Sequence, residues 1–193
     1  MNHVPLTFFE VDTDPDRFQY FLLEESSVAE SYEFDGRPLS NVWRPPTVYA
    51  YQPRLPEADF WDFGLGAFGT VFAIRPEALD RHELRQYLAS VGELLPLPYR
   101  GREFAVWNVT ECIDALDADA SVWLHYDNGE RFRVKSPRFR RDRLGWNVFK
   151  VPEMPQSIFA WVDDRVERQQ LFKHRVEDGR LTGLVFRALY SLP

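Results

Sequence analysis

The chain is poor in the residues that most often build disulfides, metal sites and catalytic centres. Its 193 residues include one cysteine, Cys112, and four widely spaced histidines, His3, His82, His125 and His174. A single cysteine forms no internal disulfide, and zinc sites usually draw on closely spaced Cys and His pairs. The sequence therefore predicts no disulfide framework, and we expect neither a metal site nor a cofactor.

Common catalytic motifs are also missing. The chain has no G-x-S-x-G nucleophile elbow and no G-K-S/T phosphate loop. The glycine-rich residues 64–69 precede a predicted strand, whereas a phosphate-binding loop follows a strand and opens a helix. A lone cysteine such as Cys112 is more typical of a small buried side chain than of a nucleophile. These absences disfavour an enzyme.

No apolar run approaches the roughly 18 residues that a membrane-spanning helix requires. The first residues also lack the charged and apolar regions of a signal peptide. Together with the low cysteine content, these features lead us to expect a cytoplasmic protein with no membrane partner.

The charge is acidic overall but unevenly distributed. A net charge of −7 disfavours a protein whose main task is to coat nucleic acid. Residues 131–143 nevertheless carry +6, so the rest of the chain carries −13. Two surfaces of opposite charge must therefore be considered as binding faces.

Aromatic residues are abundant, at 16% of the chain, and short apolar segments are separated by turn residues. The patterns predict about eight strands and two principal helices, over residues 76–91 and 163–178. Strands and helices do not alternate regularly, so we predict an α+β fold with a mainly antiparallel or mixed sheet, in a single domain over residues 1–193. Residues 109–116 fit either a short capped helix or a continuation of the preceding strand.

The first candidate surface is the Pro/Gly-rich stretch 55–69, which combines aromatic rings with acids. This composition is typical of a binding hot spot within a long loop. The alternative is that the rings pack into the core and hold the loop down. The candidate partner-binding residues are Trp43, Glu57, Asp59, Phe60, Trp61 and Asp62.

The second candidate surface is the basic stretch that begins at a predicted hairpin with the turn 127–130. Alternation along residues 131–135 predicts that three cations share one strand face. They then either bind an anionic group of a partner, peptide or small substrate, or protect a strand edge from unwanted pairing. The candidate anion-binding residues are His125, Arg131, Arg133, Lys135, Arg138 and Arg140.

The order of several short motifs resembles the Imm11 family, also called DUF1629. These motifs are F-D-G-R-P-L at 34–39, Trp43 with the prolines at 45–46, V-W-N-V at 106–109, D-A-L-D at 114–117 and L-T-G-L-V-F at 181–186. The resemblance covers residues 34–189 and leaves 1–33 unmatched.

Members of that family are regarded as cytoplasmic immunity proteins of bacterial polymorphic toxin systems. The resemblance implies that the chain binds and neutralises a cognate toxin, encoded next to it, by forming a stoichiometric complex. It implies no catalytic residues. The alternative from the residues themselves is an enzyme or accessory factor that acts on a peptide or small anionic substrate through His125, Arg131, Arg133 and Arg138.

Overall fold

Two four-stranded antiparallel sheets form the body of the fold in this computed structural model, which describes residues 5–25, 32–64, 69–81 and 83–192. The strands are β1 (Leu6–Thr13), β2 (Tyr20–Leu23), β3 (Val48–Tyr51), β4 (Phe60–Asp62), β5 (Phe72–Ile74), β6 (Gly92–Tyr99), β7 (Arg102–Val109), β8 (Val122–His125), β9 (Arg131–Ser136), β10 (Val148–Phe149), β11 (Ile158–Val162) and β12 (Leu184–Leu192). The helices are α1 (Pro76–Leu79), α2 (Leu84–Val91) and α3 (Phe172–Asp178).

The first sheet has the strand order β10-β11-β1-β12, so β1 lies inside it. β1 buries Leu6 and Phe8, and then Val11 and Thr13. The alternation shifts by one residue beside an irregularity in the β1–β12 pairing at Phe8/Phe9. Such irregularities let a strand re-aim its apolar side chains towards the core.

The second sheet has the order β4-β5-β7-β6, with β6 at one edge. β6 contains Pro96 and Pro98, which donate no backbone hydrogen bond, and an edge strand tolerates them. The Trp43 indole N–H donates to the Pro96 carbonyl over 2.8 Å. The edge is therefore partly capped by a side chain from the long 32–47 connection.

Two separate ribbons, β2–β3 and β8–β9, complete the strand pairing. The β2–β3 ribbon joins the second sheet through a bridge between Phe21 and Phe63. One core cluster combines Val11 from the first sheet, Trp107 from the second and Phe172 from α3. The predicted α+β class is confirmed, with twelve strands among the described residues instead of about eight.

Both predicted helices are shorter than expected. The 76–91 segment forms α1 and α2, and Glu83 between them has a left-handed backbone with φ of 56°. In the 163–178 segment only α3 is α-helical, because the Asp163 carboxylate accepts from the Arg165 backbone N–H at 3.0 Å and stabilises a turn instead.

Residues 109–116 form neither a capped helix nor a full continuation of the preceding strand. β7 continues to Val109, and the following residues form no helix. Their backbone pairs with the β10 region instead: the Lys150 N–H donates to the Glu111 carbonyl at 2.7 Å, and the Ile113 N–H donates to the Lys150 carbonyl at 2.9 Å. Partners distant in sequence satisfy this backbone, so local helix capping does not decide its structure.

Candidate protein-binding surface

The aromatic rings of the first candidate surface are buried. Phe60 and Trp61 belong to β4 and are each 1% exposed, and Trp43 is also buried. The Trp61 ring stacks on Phe21 with centroids 4.6 Å apart, and its N–H donates to the Ala58 carbonyl at 2.9 Å. Of the two alternatives for this stretch, the structure shows packing into the core, and burial makes Trp43, Phe60 and Trp61 unavailable to a partner.

The acids of that stretch are engaged inside the molecule. The Asp59 carboxylate accepts from the Arg75 guanidinium at 2.6 Å and from the Thr182 N–H at 2.9 Å. Burial alone raises the pKa of Asp59, but the hydrogen bonds from Arg75 and Thr182 outweigh it and hold that pKa below its usual value. Asp59 therefore joins β4 to the start of β12 instead of facing a partner.

The Glu57 and Asp62 carboxylates also have hydrogen-bond partners within the molecule. The Glu57 carboxylate accepts from Arg102 at 2.9 Å, and the Asp62 carboxylate accepts from the Thr13 hydroxyl at 2.7 Å. These contacts leave Glu57 at the surface but already paired. The acids of the first candidate surface thus mainly hold the second sheet together and join it to the first sheet.

The predicted hairpin in the basic stretch is confirmed as the β8–β9 ribbon. Its turn is closed by the Tyr126 N–H, which donates to the Glu130 carbonyl at 2.9 Å. Gly129 supplies a positive φ of 86°, a conformation that glycine adopts without strain.

One side of the ribbon anchors it to the body. Val134 is buried, and Trp123 packs against the same cluster. The Trp123 indole N–H donates to the Ala118 carbonyl at 2.9 Å, and the Arg131 guanidinium lies 5.1 Å from the Trp123 ring centre. The ribbon is therefore held in a defined position.

The ribbon also carries a group of exposed apolar side chains. Of the eight large hydrophobic residues exposed in the described part of the chain, four lie on it. They are Val122, Leu124, Tyr126 and Phe132. The Tyr126 and Phe132 ring centres are 4.9 Å apart, so the group is contiguous there. Grouped exposed apolar side chains are typical of interaction sites, and we call these four residues the hairpin patch.

The basic residues do not share one face, contrary to the expectation from strict alternation. Arg131 pairs with His125, whereas Arg133 pairs with Leu124, so the two arginines lie on opposite faces. The cause is a register irregularity at Leu124/His125, which leaves Phe132 between the two pairs.

The remaining cations also separate. Arg138 stacks on Tyr190 with 4.2 Å between the guanidinium and the ring centre, and Arg140 lies 3.0 Å from the Asp114 carboxylate. Among the described residues, Arg138 and the two ribbon cations Arg133 and Lys135 have no carboxylate within 4 Å. The structure therefore does not bring the six candidate residues together at one anion, and it leaves two unneutralised cations beside the hairpin patch.

Sequence reasoning identified the hairpin and its charge but missed its apolar side chains. The sequence does indicate them. Residues 122–126 place large side chains on both faces of a short strand, whereas a strand with one face on the core needs large apolar side chains on that face alone.

No family model matches the chain, and no curated protein matches its sequence. Within the described ranges, no three His, Cys, Asp or Glu side chains are grouped so as to hold a metal ion. Across those same ranges, every helix is too short or too polar to cross a membrane.

Proposed function

We propose that this chain is a cytoplasmic protein-binding module of the immunity type, which neutralises a cognate bacterial toxin by forming a stoichiometric complex. The resemblance of residues 34–189 to the Imm11 family supports the choice of partner. The hairpin patch supports binding of a protein, because it offers apolar area on an anchored ribbon.

The observation that carries the proposal is the combination of apolar and basic groups on the ribbon. Protein interfaces place aromatic and aliphatic side chains in a central patch that becomes dry, with charged groups at the rim. Tyr126 and Phe132 are 57% and 52% exposed, and they would lose that exposure in a complex. Arg133 and Lys135 favour a partner whose contact surface has an acidic rim.

A nucleic acid fits this surface less well. The chain carries −7 overall, and within the basic stretch 131–143 only Arg133, Lys135 and Arg138 lack a carboxylate within 4 Å among the described residues. Nucleic-acid binding without sequence preference draws most of its affinity from many phosphate contacts.

The first test is co-expression with the product of the neighbouring reading frame. We expect the wild-type chain to restore growth to bacteria that produce this toxin, and to elute with it as a complex of fixed stoichiometry. Free migration of the two purified proteins on a sizing column, with no growth protection, would contradict the proposal.

The second test concerns the rim. Arg133→Glu combined with Lys135→Glu should slow association with the toxin and change the salt dependence of the rate, because rim charges act mainly on association. Arg54→Glu combined with Arg100→Glu is the matched control, since both residues are exposed elsewhere on the surface. Equal slowing by both pairs would indicate an effect of net charge and not of the ribbon.

A further inference from the structure

A second feature of the fold is a cleft of about 760 Å³, away from the hairpin patch. It lies between α2, α3 and the segment at residues 145–147, and its volume is that of a typical small-molecule site, about 300–1,000 Å³. The hairpin patch contributes none of its lining residues. A ligand bound here would therefore contact residues other than those of the hairpin patch.

The aromatic side of the cleft consists of Trp146 and Trp161. The Trp146 side chain is 46% exposed although it lines a concave surface. The Trp161 indole N–H donates to the Trp146 carbonyl at 3.1 Å, and the Trp161 backbone N–H donates to the Asn147 carbonyl at 3.0 Å. An exposed indole on a fixed backbone offers a flat apolar area to a ligand.

The back of the cleft is rigid. The side-chain oxygen Oδ1 of Asn147 accepts a hydrogen bond from the Tyr87 hydroxyl at 2.7 Å and another from the Phe172 backbone N–H at 2.9 Å. The Tyr87 and Phe172 rings are nearly parallel, with centroids 5.8 Å apart. Asn147 thus joins β10 to α2 and α3, and the cleft is preformed.

Polar side chains form the rest of the wall. Glu83 immediately precedes α2, Gln86 lies in its first turn, and Glu111 comes from the segment after β7. A Cβ at Gly145 would lie 2.9 Å from the Glu111 carboxylate, so the missing side chain allows that carboxylate to approach the 145 backbone. Glu83 has the left-handed backbone noted above, a conformation that costs energy and often occurs at ligand sites.

These groups restrict the chemistry of the ligand. A purely apolar ligand would bury the carboxylates and the Gln86 amide without hydrogen bonds, at a large cost. An anion would meet two carboxylates, Glu83 and Glu111. A cation would meet the Arg175 guanidinium, which lies 5.0 Å from the Tyr87 ring centre in the same wall.

A neutral ligand with one apolar face and several hydroxyl groups satisfies all of these conditions. Carboxylates, amides and a guanidinium each offer paired hydrogen-bonding atoms, which match adjacent hydroxyls. We propose that this cleft binds a neutral carbohydrate, a short oligosaccharide with one ring stacked on Trp146 and its hydroxyls bonded to Glu83, Gln86 and Glu111.

The test is a titration with a panel of neutral trisaccharides, maltotriose, cellotriose, mannotriose and N,N′,N″-triacetylchitotriose, followed by calorimetry and tryptophan fluorescence. We expect saturable binding of at least one sugar, with little dependence on salt. A sialylated trisaccharide and tetramethylammonium are the anionic and cationic probes. Binding of a charged probe alone, or of no sugar, would overturn the proposal.

Two variants locate the bound sugar. Trp146→Ala should weaken binding at least about tenfold, the scale of truncating a central aromatic contact, whereas Tyr49→Ala, at a 43% exposed ring on β3, should leave it unchanged. Gly145→Ala, at an exposed position with ordinary backbone, should also weaken binding by displacing Glu111. Equal affinities for wild type and both cleft variants would place the sugar elsewhere and refute the assignment.

Discussion

Lys150 gives the most specific prediction about stability, because its ammonium group is buried. The side chain is 1% exposed, and its Nζ donates to the Phe34 carbonyl and, at 2.9 Å, to the Pro155 carbonyl. Burial lowers the pKa of Lys150 from 10.5 to about 8. At about 1.4 kcal/mol per pKa unit, the charged form costs the fold about 3 kcal/mol at neutral pH.

The sign of the pH dependence follows from proton binding. Between the folded pKa of about 8 and the unfolded value of 10.5, the unfolded chain holds more protons at Lys150 than the folded chain does. The free energy of unfolding therefore rises with pH in this window. From pH 8 to pH 9.5 the rise amounts to about 1.5 kcal/mol, and Lys150→Met should abolish it.

The assay is urea denaturation at half-unit steps from pH 7 to pH 9.5, in a Cys112→Ala background. Burial raises the pKa of the Cys112 thiol, so its titration changes stability in the opposite direction within the same window. The range stops at pH 9.5 because burial raises the pKa of Tyr190 to about 12, and the unfolded tyrosine ionises near pH 10. The exposed Lys135→Met is the control and should keep the parent slope. An unchanged slope in Lys150→Met would refute the reasoning.

Two further predictions concern the join between the sheets. Gly183→Ala should lower the free energy of unfolding by about 3 kcal/mol or more, because φ is 100° and the new Cβ would lie 2.0 Å from the Phe60 carbonyl oxygen. The control is Gly101→Ala, which has φ of 74° but open space around it. It should cost only about 1 kcal/mol in the same denaturation assay. Comparable losses would show that backbone conformation alone decides. Asp59→Asn should lower the free energy of unfolding by about 3 kcal/mol at pH 7. The lowered pKa of Asp59 stabilises the fold above pH 4, and this contribution is lost on acidification. The variant should therefore lose less stability than wild type when the pH falls below 4. Glu57→Gln, at a half-exposed pair, should cost under about 1 kcal/mol, and an equal loss in both variants would contradict the role of burial.

The sequence predicted the elements whose signals are local. The turn residues Asp-Asn-Gly between two β-rich segments correctly predict the β8–β9 hairpin. The α+β class followed from the absence of regular strand and helix alternation. These signals depend on a few neighbouring residues, which one sequence displays.

The elements that were missed depend on tertiary position. β6 carries Pro96 and Pro98, which argue against a strand until its place at the sheet edge is known. β4 lies in a Pro/Gly-rich stretch and forms because β5 pairs with it. Likewise, Glu83 interrupts the predicted helix through a backbone conformation that the apolar spacing does not reveal.

The candidate sites show the same limit. The sequence predicts Trp61 as a partner-binding residue and singles out nothing at Trp146, yet Trp61 is 1% exposed and Trp146 is 46% exposed. The cleft joins residues from position 83 to position 175, and no local motif connects them. Only the packing of α2 and α3 against β10 brings its groups together.

The central claim, that the hairpin patch binds a toxin, is tested most directly by one calorimetric comparison. The toxin is titrated with wild type, with Tyr126→Ser/Phe132→Ser, and with Tyr49→Ser/Tyr51→Ser, whose rings are similarly exposed on the β2–β3 ribbon. Loss of two central aromatic contacts should lower the affinity of Tyr126→Ser/Phe132→Ser for the toxin at least about 30-fold, while the β3 variant keeps the wild-type affinity. Wild-type affinity in the Tyr126→Ser/Phe132→Ser variant would contradict the account.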